Sequence, residues 1–235
     1  CRPRFMASSD HDHENGSSSN GAMNGSPDGH LTEPPPLDET ERALLAAPAP
    51  AAVLDLAEAC IRYVERAVGV KLDFTVETLP LLDHYVAGAR DVLSGRARPA
   101  DGAEPVDLVA QAAGAYLGEV MRRRYPSWWR VGSEGVDHRL EFHRLYLVVQ
   151  PVTLIHEALA LDAEKGVHEL CGFDMDEDDK EAATARLAEL PEVPFEEFVA
   201  PSTRVEVLDI VIDAVRVLHM QAGRPLALEP SDYVH

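Results

Sequence analysis

The composition of the chain changes sharply near residue 53, and this change limits which part of it can fold. Residues 7–50 are rich in Ser, Asn, Gly and Pro and contain the runs Pro34-Pro35-Pro36 and Ala47-Pro48-Ala49-Pro50. They offer hardly any large apolar side chains, so burial cannot repay the conformational entropy that ordering would cost. The sequence therefore predicts a disordered tail over residues 1–52 and one folded domain over residues 53–235.

Beyond residue 52 the apolar residues follow helical and strand-like spacings. In the first predicted helix, Leu56, Cys60, Tyr63 and Ala67 recur at intervals of three and four residues, and Gly69 stands where a C-cap belongs. Similar patterns predict further helices at residues 75–92, 106–125, 152–161 and 204–220, and a short helix after Asp179. Ser202 or Thr203 is the predicted N-cap of the helix 204–220. Strands are predicted at residues 128–132 and 139–149. The two strands are expected to pair as an antiparallel hairpin. The predicted fold class is thus a helix-rich α+β single domain with a small antiparallel hairpin or sheet.

Two glycines lie one turn apart in the predicted helix 106–125. Gly114 and Gly118 each weaken a helix by roughly 1 kcal/mol, so we expect another element to approach this helix face closely. Packing on a sheet or helix would account for them, and so would contact with a ligand. Basic and aromatic residues follow at the helix end: arginines 122–124 and the Trp-Trp-Arg run 128–130. They predict either a solvated helix terminus followed by a strand or an aromatic and basic patch.

The run Gly114-Ala115-Tyr116-Leu117-Gly118-Glu119 is followed by a tryptophan on a strand and by a second strand that leads into Pro151 and a helix. This arrangement resembles an uncharacterised group of bacterial α+β domains of unknown function, over about residues 72–161. The resemblance implies the fold and a bacterial origin. It implies no activity, because the group has none assigned.

The net charge of the chain argues against polyanionic partners. The chain has 21 basic and 41 acidic residues, a formal charge of −20, of which −15 falls on residues 53–235. Such a charge repels nucleic-acid phosphates and anionic lipid, so neither nucleic acid nor a membrane is expected as a partner. No apolar stretch reaches the roughly 20 uncharged residues that a membrane-spanning helix needs.

Histidine and cysteine positions offer one metal alternative. His156-Glu157 begins like the zinc motif HExxH, but position 160 is Ala, so the second histidine ligand is missing. His168 and Cys171 could complete a site with His156, since imidazole and thiolate both suit zinc. No regular ligand spacing connects these residues, and the sequence predicts no cofactor.

A cluster of carboxylates offers the second candidate site. Asp174, Asp176 and Asp178 alternate like the first ligands of a calcium loop, but Asp179 and Ala185 stand where that loop needs Gly and Glu. The same acids lie just before a predicted helix, where the helix dipole favours them. They are also the first candidates for contact with a basic partner, with Asp179 included.

Two classes of function remain open. The first is a non-enzymatic cytosolic binding or regulatory protein, antitoxin-like or immunity-like, that acts on a basic protein partner. The second is an enzyme, with or without a metal, whose site is assembled from dispersed acids and histidines. Its first candidate residues are His138, His143, His156 and His168. No nucleophile motif or phosphate-binding loop singles out a catalytic residue.

Cysteine usage bears on location. Three cysteines without a Cys-x-x-Cys pair indicate a reducing cytoplasm. The initial Cys1 admits the alternative of an acylated lipoprotein, whereas a start at Met6 would make Cys1 an artefact of the assigned start. The oligomeric state is not indicated by the sequence.

Overall fold

The computed structural model describes residues 36–95, 105–132, 138–160, 170–224 and 227–233. Within these residues, eight α-helices accompany four short strands. The helices are α1 (Glu39–Ala46), α2 (Ala51–Val68), α3 (Leu79–Leu93), α4 (Val106–Arg124), α5 (Pro151–Ala160), α6 (Glu177–Ala188), α7 (Phe195–Phe198) and α8 (Pro201–Gln221). The strands are β1 (Ser127–Arg130), β2 (Arg139–Phe142), β3 (Leu147–Val149) and β4 (Phe173–Met175), and 3-10 turns occur at Val76–Thr78 and Pro230–Tyr233. The fold class predicted from the sequence is confirmed.

The folded unit begins earlier than residue 53. Asp38 and Glu41 form a capping box that starts α1: each backbone N–H donates to the other side chain across 2.8 Å. Arg144 donates to Glu41 across 2.7 Å, and Ala49 is buried in the core. One compact unit therefore begins at Leu37, ahead of the predicted tail boundary at residue 52. The remainder of the predicted tail, residues 1–35, lies outside the described residues.

Helix α4 is the centre of the core. It packs against α2 along one side and against α5 along another, and thirteen of its residues are buried. A helix that is buried on two sides has little polar surface, and this fits the mostly apolar sequence of α4. Helix α2 has the expected amphipathic pattern and ends at Gly69, whose φ of 78° is the left-handed conformation that favours glycine.

The four strands form one antiparallel sheet in the order β1-β2-β3-β4. The predicted hairpin is confirmed, with Trp129 opposite Leu140. The second predicted strand, 139–149, is instead two strands, because the chain turns between Phe142 and Leu147. The hydroxyl of Tyr233 donates to the carbonyls of Phe142 and Leu145 in this turn, at 2.7 and 2.8 Å.

The sheet has two different faces. Side chains directly opposite each other in paired strands share a face, so Trp129 and Leu140 lie with Val149 and Phe173 against the helices. The other face carries Trp128, Glu141, Val148 and Asp174, and the Tyr233 ring contacts Trp128 edge to face there. We call it the outer face.

Two predicted helix starts differ from the structure. Helix α8 begins at Pro201 after an N-cap residue, Ala200, that makes no side-chain hydrogen bond, so the predicted cap at Ser202 or Thr203 was wrong. The backbone N–H of Ser202 instead donates to Asp83 of α3 across 2.9 Å. Helix α6 begins at Glu177, ahead of the predicted start after Asp179.

Candidate functional site

The candidate site is an acidic segment that begins on the edge strand β4 and continues through α6 and α7. Residues 174–197 contain ten acidic and two basic residues, a net charge of −8. Three of its carboxylates, on Asp174, Asp176 and Asp178, come from the middle of β4, the N-cap of α6 and the first turn of α6. We call these three residues the acidic surface.

All three residues of the acidic surface are exposed. No hydrogen bond or ion pair joins their carboxylates to another described residue. No described cation therefore compensates these carboxylates, and they are accessible to another molecule. Asp176 stands at the N-cap of α6 without a capping hydrogen bond, so the favourable effect of these acids on the helix comes through the dipole.

An aromatic side chain lies beside the acidic surface. Burial and the nearby carboxylates of Asp174 and Asp176 raise the pKa of Tyr146. The Tyr146 ring stacks on Tyr233 with 4.9 Å between ring centroids. Tyrosine gives contact area at small entropic cost, which is why it is enriched in protein interfaces.

Asp179, the fourth predicted contact residue, is placed differently. It is buried between α6 and α8, and its carboxylate oxygen lies 2.7 Å from the Nε2 atom of His219. Helical geometry turns it about 100° away from Asp178, towards the core. Asp179 therefore stabilises the packing of α6 on α8, and we leave it out of the acidic surface.

The residues of the metal alternative are not assembled. His156 lies on α5 and is half-buried, Cys171 is half-buried before β4, and His168 lies outside the described residues. Within the described ranges, no three His, Cys, Asp or Glu side chains are grouped as metal ligands. No cofactor can be assigned to this part of the chain from its geometry.

The other candidate histidines have structural contacts. His138 accepts a hydrogen bond at Nδ1 from the N–H of Gly132 across 3.3 Å. The Nδ1 atom of His143 lies 2.8 Å from the carbonyl oxygen of Leu228, and the Leu228 N–H donates to the His143 carbonyl across 2.7 Å. His143 thus holds the C-terminal segment over the sheet. Neither histidine lines either of two open depressions of about 700 and 450 Å³ on the described surface.

The glycine and glutamate of the α4 motif have a packing role. A Cβ atom at Gly118 would lie 2.2 Å from Cη2 of Trp129, and one at Gly114 would lie 2.7 Å from Cα of Val152. The close approach predicted for both glycines is therefore confirmed, with a strand residue at one and a helix at the other. Within the run 114–119, Gly118 leaves the space in which Trp129 packs against α4.

Glu119 completes this packing with a buried charge. It accepts a hydrogen bond from the Trp129 indole and another from Nε of Arg122, both across 2.7 Å. On the outer face, the buried Glu141 likewise accepts from the Trp128 indole across 2.7 Å and from Arg130 across 2.6 Å. Trp128, Trp129, Arg122 and Arg130 thus donate hydrogen bonds to internal acids. The aromatic and basic patch, one of the two predicted alternatives, is therefore not formed.

Phe74 is a residue that the sequence analysis missed. Its φ is 64°, a rare conformation for a bulky residue, and its N–H donates to the hydroxyl of Tyr116 across 2.8 Å. The two rings stack at 4.9 Å, and the guanidinium of Arg123 lies 3.9 Å from the Phe74 ring centroid. No local pattern signals this arrangement, because Tyr116 is 42 residues away along the chain.

A second buried ion pair joins α5 and α8. Arg204 is fully buried, and its Nη2 donates to Glu157, while its guanidinium lies 4.4 Å from the Phe198 ring centroid. Its Nε and Nη1 atoms make no hydrogen bond with the described residues. This pair fixes the position of α8, which packs on α6 beside the acidic surface.

No protein-family model, curated protein or solved structure matches this chain. The resemblance to an uncharacterised bacterial group stays a prediction. In the described part of the chain, no single helix is long and apolar enough to cross a membrane. Helices α1 and α2 taken together reach the length and apolar composition of a membrane span, but the pair is bent by 57°.

Proposed function

We propose that this chain is a non-enzymatic cytosolic binding or regulatory protein, antitoxin-like or immunity-like, that recognises a basic protein through the acidic surface. The observation that carries the proposal is the exposure of Asp174, Asp176 and Asp178 without a described cationic partner. Most of the neighbouring acids in residues 174–197 add to the same field. A field of one sign speeds encounter with an oppositely charged partner and steers its orientation.

The proposed cytosolic location rests on the cysteines. Cys60 is buried on α2, and no disulfide joins Cys60 to Cys171. Burial raises the pKa of the Cys60 thiol, so this cysteine is a core residue that does not react readily. Free thiols are ordinary in a reducing compartment.

The test begins with capture of a partner from the source cell by the tagged full-length chain, followed by measurement of the association rate. We expect the rate to fall at least about tenfold between roughly 0.02 and 0.5 M salt, because salt shortens the distance over which charges act. An association rate that does not change with salt would contradict electrostatic recognition.

Neutralised variants then test the surface itself. We expect the triple variant Asp174→Asn, Asp176→Asn and Asp178→Asn to associate at least about tenfold more slowly at low salt. Asp179 is left unchanged, because its replacement would disturb the core. The thermal midpoint of the triple variant verifies that it folds.

The matched control removes the same charge elsewhere. Asp55, Glu65 and Glu77 are exposed, lie on α2 and the Val76–Thr78 turn, and have no described ion pair. The variant Asp55→Asn, Glu65→Gln and Glu77→Gln should slow association by less than about threefold, since these charges are not at the contact. Equal slowing in both variants would mean that net charge, and not the acidic surface, governs recognition.

A further inference from the structure

A depression of about 450 Å³ lies between the α1–α2 connection and the C-terminal half of α4. One wall is apolar and consists of Leu45, the segment 46–49 and Leu54. The other wall carries Glu119, Arg122 and Arg123. We call this depression the arginine pocket. Its volume lies within the range of small-molecule sites, and apolar walls with a few fixed polar groups are typical of them.

The polar wall of the arginine pocket has an excess of positive charge. The carboxylate of Glu119 is neutralised by Arg122, whose Nε and Nη2 donate to its two oxygens across 2.7 and 3.2 Å. Arg122 is further fixed by donation from Nη1 to the Leu44 carbonyl across 3.2 Å. Arg123 therefore adds a positive charge that Glu119 and Arg122 do not cancel. Salt screens charges that lie more than about 8–10 Å away, so the effect of distant acids on this local charge is weakened.

Arg123 is held in place and yet open to solvent. One face of its guanidinium lies on the Phe74 ring, and its Nε is 3.6 Å from Glu119. The side chain is 43% exposed, and its terminal amino groups make no hydrogen bond with the described residues. A guanidinium fixed in this way presents a planar fork, which matches the two oxygens of a carboxylate.

We propose that the arginine pocket binds a small aliphatic carboxylate. The carboxylate accepts both hydrogen bonds of the Arg123 fork, and the hydrocarbon chain covers the apolar wall formed by 46–49 and Leu54. The strained backbone of Phe74 contributes because it places the ring that orients Arg123. This site uses residues different from those of the acidic surface and does not depend on a protein partner.

The two tryptophans provide an internal control for the test. The Trp129 indole donates to Glu119 in the wall of the pocket, whereas the Trp128 indole donates to Glu141 on the outer face. In the ¹⁵N-labelled full-length chain, each indole gives its own N–H resonance. Titration with hexanoate should move the Trp129 resonance with a dissociation constant of about 1 mM, as expected for a ligand of eight heavy atoms. The Trp128 resonance should stay in place.

Ligand controls separate the contributions of charge and hydrocarbon. Hexanamide has the same chain without the negative charge, and acetate has the charge without the chain. We expect each to bind at least about tenfold more weakly than hexanoate. Equal affinity for acetate and hexanoate would overturn the proposal, and so would equal affinity for hexanamide.

Protein variants identify the arginine responsible. Arg123→Gln should weaken hexanoate at least about tenfold, and Arg123→Lys should weaken it too, because an ammonium group cannot form the fork. Arg62→Gln removes an exposed arginine on α2, whose described ion pair is with Glu58, and should leave the affinity unchanged. A Trp129 shift that survives in folded Arg123→Gln, or that matches the shift of Trp128, would overturn the assignment.

Discussion

The indole N–H of Trp129 donates to the carboxylate of Glu119 across 2.7 Å, and both groups are buried. Gly118, the residue before this glutamate, leaves the space that the indole ring occupies. The two neighbouring residues of α4 therefore act together: one admits the ring and the other satisfies its N–H. Because a buried polar group needs hydrogen bonds to be tolerated, Trp129 and Arg122 in return satisfy the carboxylate of Glu119.

The first prediction is that Trp129 and Glu119 are energetically coupled. In a double-mutant cycle of Trp129→Phe and Glu119→Met, each of which removes one partner of the hydrogen bond, we expect the free energy of unfolding to show a coupling of about 1–2 kcal/mol. Urea unfolding of the four proteins measures it. Additive effects within about 0.3 kcal/mol would show that the hydrogen bond contributes nothing to stability.

The second prediction concerns Gly118 and has a matched control in Gly88. Gly118→Ala places a Cβ atom against Trp129, so we expect a loss of about 2 kcal/mol or more, and a larger loss for Gly118→Leu. Gly88 lies in α3 with no atom within 4 Å of an added Cβ. There Gly88→Ala should stabilise by about 0.5–1 kcal/mol, because alanine favours the helix. Thermal or urea unfolding that gave the same sign for both sites would refute the packing argument.

The third prediction concerns the start of the folded unit. Removal of residues 1–35 should leave the thermal midpoint unchanged, since their composition offers little apolar surface. Removal of residues 1–50 should lower the midpoint by at least about 5 °C, because it deletes α1, the Glu41–Arg144 ion pair and the buried Ala49. Calorimetry on the two shortened chains distinguishes them, and equal midpoints would mean that α1 adds no stability.

The parts of the fold that could be predicted depend on contacts close in sequence. The apolar spacing of α2 and α4 reflects helical geometry, which repeats within a few residues, so both helices are evident from the sequence. The two glycines of α4 likewise indicate a close approach, because glycine weakens a helix unless space is needed. None of these inferences required knowledge of the partner element.

The parts that could not be predicted depend on distant or very short segments. Strand β4 has three residues, too few to show an alternating pattern, and its partner β3 lies more than twenty residues earlier. Asp179 has the same local sequence character as Asp178, and its burial depends on His219, 40 residues later. Helix α1 follows a proline-rich stretch and was masked by that composition, although Asp38 and Glu41 have capping-box spacing.

The fourth prediction concerns the buried pair of Arg204 and Glu157. Arg204→Met alone leaves the Glu157 carboxylate buried without its cation, so we expect a loss of about 3–5 kcal/mol in the free energy of unfolding. Replacing both residues, as Arg204→Met with Glu157→Leu, should recover at least about 1 kcal/mol of that loss, because no buried charge remains. Urea unfolding provides the comparison. A double variant less stable than the single variant would mean that the ion pair itself is strongly stabilising.

The fifth prediction is a pH dependence of the anchoring of α1. Hydrogen bonding from Arg144 holds the pKa of Glu41 below its ordinary value of 4.5, with the Asp38 N–H acting in the same direction. A carboxyl group whose pKa is lowered by folding stabilises the folded state fully above its unfolded pKa. That stabilisation is lost as the pH falls through the lower, folded pKa. The contribution of Glu41 should therefore be complete above about pH 5.5 and decline below about pH 4.5.

Glu41→Gln isolates this contribution, because glutamine keeps the size of the side chain but does not titrate. The cost of Glu41→Gln in the free energy of unfolding should be larger at about pH 6.5 than at about pH 3.5. In an Arg144→Gln background the cause of the lowered pKa is removed, so the difference between the two pH values should become smaller. Urea unfolding of the four proteins at both pH values measures these terms. If Glu41→Gln costs the same at both pH values, the Arg144 contact does not stabilise the ionised carboxylate, and the anchoring of α1 depends on its apolar contacts and the capping box alone.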